Sequence, residues 1–235
     1  MKQYLRLDEK HIIKTYTTKT ELEVLEFMSF NSFENDDDYE PAVDSVLEEC
    51  VSNYDPSFPK LKKIILLWCI RIATLGDELD ITFKCNECQK QQQLTISLSK
   101  LFKLPSKFTE DFSPEFIDSS CPTDLTKQID DEMDIEEYED YFKNIVDYHI
   151  IYNNNFLFNC QYCEKENFTN LLTFKNALSF LSEDNFYTLT EWIHTLMYYD
   201  NCSRSDILEM SPVQRMLEIN YFKETKKKET QNENI

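Results

Sequence analysis

Glycine is almost missing. The 235 residues contain one, Gly76, where average usage of about 7% would place roughly sixteen. That excludes every phosphate loop built on glycines, makes an all-β design with tight glycine hairpins improbable, and leaves turns to Asn, Asp and Pro. Positive charge is also scarce: 24 Lys and Arg stand against 44 Asp and Glu, a net charge of −20. A nucleic-acid backbone calls for a basic face. Only two short clusters offer one, Lys60/Lys62/Lys63 and Lys226/Lys227/Lys228, so no nucleic-acid partner is expected. Long apolar runs are missing too. The longest, residues 64–70, falls well short of the about 20 residues of a membrane span, and the N-terminus lacks an apolar signal core. The chain reads as soluble and unsecreted, and its eight cysteines are not expected to form a disulfide framework in a reducing compartment. The three histidines, His11, His149 and His194, are scattered singly. Without a Ser/His/Asp set, an HExxH helix or a nucleotide loop, no enzyme is expected.

What is present is apolar and aromatic material, 41% and 14% of the chain, enough for a core. After a short extended start, residues 20–30 read as a helix capped by Thr20, with Glu23 three residues on. An acidic loop follows, and Pro41 opens a second helix. In PKLKKIILLWCIRIATLGDEL, apolar side chains cover more than half the helical circumference, which marks a buried helix; Arg71 lies in its middle and Gly76 at its expected left-handed stop. LDITFK and QQLTISL alternate as strands. Residues 102–129 read as irregular connection, and DDEMDIEEYEDYFKNIVDY as an acidic amphipathic helix. Helical periodicity returns over residues 174–181 and 187–199, and Ser211, Pro212 and Gln214 form a capping-box start to a last helix. The polar tail 225–235 is expected to be flexible.

One phrase occurs twice: FKCNECQK at residues 83–90 and FNCQYCEK at residues 158–165. Each sets Cys-x-x-Cys between strand-like flanks. Two intervening residues let a tight turn aim both sulfurs at one ion, and two such turns complete a tetrahedron with zinc–sulfur bonds of about 2.3 Å. Cys85, Cys88, Cys160 and Cys163 are therefore the candidate ligands of one structural Zn2+. The 71 residues between the pairs form a tolerable insertion, because loop-closure entropy grows only logarithmically. The competing reading, a redox pair, would put Cys-x-x-Cys at a helix N-terminus. Such knuckles often carry glycine after the second cysteine; Gln89 and Glu164 stand there and must accept the turn or widen it. Cys50 and Cys69 fall on apolar helix faces as small hydrophobes.

The fold class expected is α+β and mostly helical, with a zinc-ribbon-like module of two strand–CxxC–strand knuckles. The domain plan is a helical region 1–78, the module 79–173 with its insertion at 101–150, a helical region 174–224, and the tail.

Residues 65–101, ILLWCIRIATLGDELDITFKCNECQKQQQLTISLSKL, resemble the baseplate hub assembly proteins of T-even-like contractile-tailed phages. The resemblance rests on Arg71, Gly76, Asp77, Cys85, Cys88, Leu98, Ser99 and Leu101, and the closing stretch 206–224 is similar to that family's last helix. The Pro and Gly usual inside the family's knuckle are absent. The resemblance implies a non-enzymatic, chaperone-like factor that binds baseplate hub proteins in the host cytoplasm during virion assembly. Helical faces around Trp192, Met197 and Tyr198 are the candidate partner surface. The alternative is a zinc-ribbon regulator that binds a host protein such as the transcription machinery.

Overall fold

The computed structural model describes residues 4–6, 12–58, 60–101, 156–199 and 202–232. The irregular connection, the acidic helix, His11, His149 and Cys121 lie outside these residues.

The chain begins with β1 (Tyr4–Arg6) and β2 (Ile12–Lys14), an antiparallel pair. Helix α1 (Thr18–Phe30) follows. Its cap is Thr17 rather than Thr20: the Thr17 hydroxyl accepts the Thr20 N–H, which frees the Thr20 hydroxyl to donate to Glu49 at 2.7 Å. In the run TYTTKT several threonines can cap, and the one that also leaves the next hydroxyl a partner is used. Helix α2 (Glu40–Cys50) has Pro41 in its first turn.

Helix α3 (Lys60–Leu75) is the centre of the molecule, with residues 63–74 all buried. A helix apolar on most sides needs neighbours on most sides. Here they are α2, β2 and α5 (Phe174–Ser179). Trp68 is fully buried and donates its indole N–H to the Leu171 carbonyl at 3.0 Å. Burial of each such aliphatic or aromatic side chain contributes about 1.5–3 kcal/mol. Buried Arg71 donates to the Gly76 carbonyl at 2.8 Å and lies 3.7 Å from Glu183. Gly76 has φ +104° and caps the helix through its N–H to Ile72.

β3 (Glu78–Lys84) and β4 (Gln91–Ser97) form one antiparallel hairpin, and β5 (Phe156–Asn159) and β6 (Glu166–Thr169) another. The one-turn helix α4 (Leu98–Leu101) closes the first hairpin. Asp77 staples that closure, accepting the Ser97 hydroxyl and the Ser99 N–H, both at 2.6 Å. The inward face of the first hairpin carries Leu79, Ile81 and Ile96 into the main core at one end. At the other end, the same face presents Phe83 and Gln92 to the second hairpin.

A second, smaller core joins α1 to α6 (Phe186–Tyr199), α7 (Arg204–Glu209) and α8 (Pro212–Asn232) through Leu25, Leu189, Ile193, Leu196, Ile207 and Ile219. The capping box of α8 forms, with Ser211 N–H to Gln214 Oε1 at 3.0 Å and the return bond at 3.3 Å. The helix continues to Asn232, through most of the segment expected to be a flexible tail. Its Lys, Glu and Gln are good helix formers, and nothing in the sequence stops the helix sooner. Among the described residues the fold is mostly helical with three two-stranded sheets, the α+β class expected. No described helix is long and apolar enough to cross a membrane.

Candidate metal centre

The two hairpins meet tip to tip, and their tips are the two Cys-x-x-Cys turns. Each turn is built identically. The Cys85 N–H donates to the Lys90 carbonyl at 3.0 Å and the Gln89 N–H to the Cys85 carbonyl at 3.0 Å. In the second turn, Cys160 bonds Lys165 at 2.8 Å and Glu164 bonds Cys160 at 2.9 Å. Gln89 and Glu164 adopt φ +60° and +58°, so both accept the left-handed turn rather than widen it. Strand register matches as well: Lys84 pairs with Gln91 as Asn159 pairs with Glu166.

The four sulfurs of Cys85, Cys88, Cys160 and Cys163 lie within 4.8 Å of one another. The close pairs cross between turns, Cys85–Cys163 at 3.7 Å and Cys88–Cys160 at 3.6 Å. A tetrahedral ion with metal–sulfur bonds of about 2.3 Å spaces its ligands by about 3.8 Å, so the donor set fits a tetrathiolate ion. The turns follow strands, not helix N-termini, which disfavours a redox pair within either one. Cys85 and Cys160 are buried, while Cys88 and Cys163 are partly exposed.

The electrostatics point the same way. For Cys85 the Cys88 backbone N–H is the largest influence; helped by the Glu87 N–H and the Asn167 amide, it lowers the thiol below its ordinary value against the effect of burial. Burial opposes the thiolate of Cys160, but the backbone N–H groups of Tyr162 and Cys163 and the Gln92 amide draw it down to about 6. At Cys163 the Lys165 N–H favours the thiolate, yet burial and the three neighbouring sulfurs push the thiol up to about 12. Sulfurs this close compete for charge, and a divalent cation would relieve the competition by binding all four as thiolates and offsetting half of their charge.

The other cysteines are different. Cys50 and Cys69 are buried on helix faces, and burial raises each thiol to about 12. The first lysine cluster is occupied within the chain: Lys60 bridges Asp36 and Asp37 at 2.7 and 2.6 Å, and buried Lys63 bridges Glu40 and Asp44 at 2.7 Å. Of the candidate partner residues, Tyr198 is 79% exposed, whereas Trp192 and Met197 pack partly into the second core. Lys223 Nζ lies 4.2 Å from the centre of the Trp192 ring.

Two groups escaped the sequence reading. Gln92 and Asn167 reach the cysteine sulfurs; their signal is that both stand seven residues after the first cysteine of their turn. The buried pair Arg215–Glu21, which also engages Thr18 and Asp184, gives no signal, because each residue reads as an ordinary polar position on its helix.

No curated protein and no solved structure matches the chain. The family model described as T4 bacteriophage base plate protein matches residues 2–218, a span that takes in the helical core, both cysteine turns and the start of α8. The chain therefore belongs to the T4 bacteriophage base plate protein family.

Proposed function

We propose that this baseplate-family protein is a non-enzymatic, chaperone-like assembly factor for the baseplate hub, acting in the host cytoplasm and held together by one structural zinc ion. The observation that carries the reading is the family match across residues 2–218; the local resemblance at residues 65–101 points to the hub. Family membership also favours a phage partner over the host transcription machinery.

The proposed mechanism is temporary cover of a hub component's apolar surface by the outer face of α6 and α8. There Tyr187, Tyr198, Tyr199, Leu217 and Tyr221 are 57–79% exposed. Aromatic residues that keep a polar edge suit such a surface, and the strong negative charge of the whole chain discourages self-association. Zinc is chosen over other ions because four thiolates leave no open position and suit a structural ion without redox chemistry.

Co-expression with the individual hub proteins of a contractile-tailed phage tests the reading. One hub protein is expected to co-purify, and Tyr198→Glu combined with Tyr221→Glu is expected to weaken that association by at least about tenfold. Failure to retain any hub protein, or selective capture of host RNA polymerase from uninfected lysate, overturns it.

A further inference from the structure

The cysteine turns are related by a local two-fold arrangement that extends past the sulfurs. Phe83 and Phe158, each two residues before a first cysteine, pack with ring centres 4.2 Å apart. Directly across the strands from them stand Gln92 and Asn167. Both amides are buried, 7% and 4% exposed. Each reaches over to the opposite turn. Gln92 Nε2 donates to Cys160 Sγ at 2.8 Å, while its Oε1 accepts the Gln161 N–H at 2.8 Å. Asn167 Nδ2 donates to Cys85 Sγ at 3.6 Å, while its Oδ1 accepts the Asn86 N–H at 3.1 Å. The backbone N–H groups can face only the amide oxygens, so the NH2 groups must face sulfur. Cys85 and Cys160 are also the two buried sulfurs.

We propose that Gln92 and Asn167 are positioning residues of the metal centre, each hairpin orienting and partly neutralising the thiolate supplied by the other. The inference rests on the reading of the four cysteines as a metal site. Four thiolates around a divalent ion carry two net negative charges. N–H donors aimed at sulfur spread that charge and fix the ligand's direction, and outer partners of this kind are typically worth about 10–100-fold in metal affinity. The reciprocal arrangement also means that neither hairpin completes its half-site alone. The amides thus make metal binding and hairpin docking one event.

Titration with Co(II) against a competing chelator, in the full chain and in Gln92→Met and Asn167→Leu, tests this. Both substitutions keep bulk but remove the donor to sulfur, together with each amide's bond from the opposite turn's backbone and the bond of Asn167 to the Lys165 carbonyl at 3.0 Å. Each is expected to weaken Co(II) binding by about 10–100-fold. Each should also move the sulfur-to-cobalt charge-transfer band to lower energy, since a sulfur without its donor gives up electron density more readily. Far-UV circular dichroism of the metal-free protein should stay unchanged, because the backbone ladders of both hairpins do not use these amides. Unaltered affinity overturns the proposal, as does weakened affinity with an unmoved band, which would mark a merely structural role. Loss of structure in the metal-free variants overturns it too, because the amides would then build the hairpins rather than tune the ion. A parent chain that binds no Co(II) sinks the metal reading itself, a result distinguishable from a parent that binds and variants that match it.

Discussion

Gln89 and Glu164 hold backbone angles that L-residues avoid, φ +60° and +58°. The left-handed region costs a non-glycine residue roughly 1–2 kcal/mol, and glycine returns part of that gain through its larger unfolded-state entropy. Gln89→Gly and Glu164→Gly are therefore expected to stabilise the protein, each by up to about 1 kcal/mol, read as a higher urea midpoint with an unchanged slope. The opposite outcome is expected where α1 meets α8. Arg215 and Glu21 are 3% and 2% exposed and hydrogen-bonded to each other. Arg215→Ala strands a buried carboxylate and should cost about 3–5 kcal/mol, while replacing both partners with apolar residues of similar volume should recover much of the loss. Urea denaturation of the single and double variants checks this. A single variant within 1 kcal/mol of the parent, where about 3–5 are expected, would contradict the reading of Arg215 as the partner of a buried carboxylate.

Elements were legible where their signal is local. The buried helix α3, its glycine stop, the strands around both cysteine pairs and the α8 capping box all follow from periodicity and end chemistry. The choice of Thr17 over Thr20 as cap was not legible, because it depends on Glu49, 29 residues from Thr20 in sequence. The equivalent placing of Gln92 and Asn167, seven residues after each first cysteine, was there to be read, but which sulfur each reaches appears only once the two distant hairpins are set tip to tip. The structure also gives physical sense to the Gly76–Asp77 step and the Leu98–Ser99 pair, on which the sequence resemblance partly rests. The glycine ends α3, and Asp77 then ties the start of β3 to the end of β4. Burial alone would raise the Asp77 carboxyl, but the hydroxyls of Ser97 and Ser99 and the Ser99 N–H hold it below its ordinary value. Asp36, which accepts two N–H groups at the start of α5 and a bond from Lys60, is lowered in the same way against burial. Both therefore stabilise the fold above the unfolded carboxyl value of about 3.9, and the contribution is lost as pH falls through their lower folded values. Stability measured from pH 6 downward should drop below about pH 4, and Asp77→Asn should make that drop shallower. An identical acid limb in the variant would contradict the assignment.

Across the whole molecule, segments far apart in sequence are tied at a few points. The Thr18 N–H bonds the Met210 carbonyl at 2.7 Å, Tyr16 bonds the Leu181 carbonyl, and the cysteine turns join residues 85–88 to residues 160–163. The first two ties are made by protein groups alone. The third would be closed by the proposed ion, in which case binding energy there is folding energy. The most direct test is metal analysis of the purified full chain by native mass spectrometry, with melting recorded before and after a strong chelator. The account predicts one zinc per chain, and a lower melting temperature once the metal is removed, with the loss confined to variants that keep all four of Cys85, Cys88, Cys160 and Cys163. A chain that carries no metal and melts unchanged in chelator would contradict it.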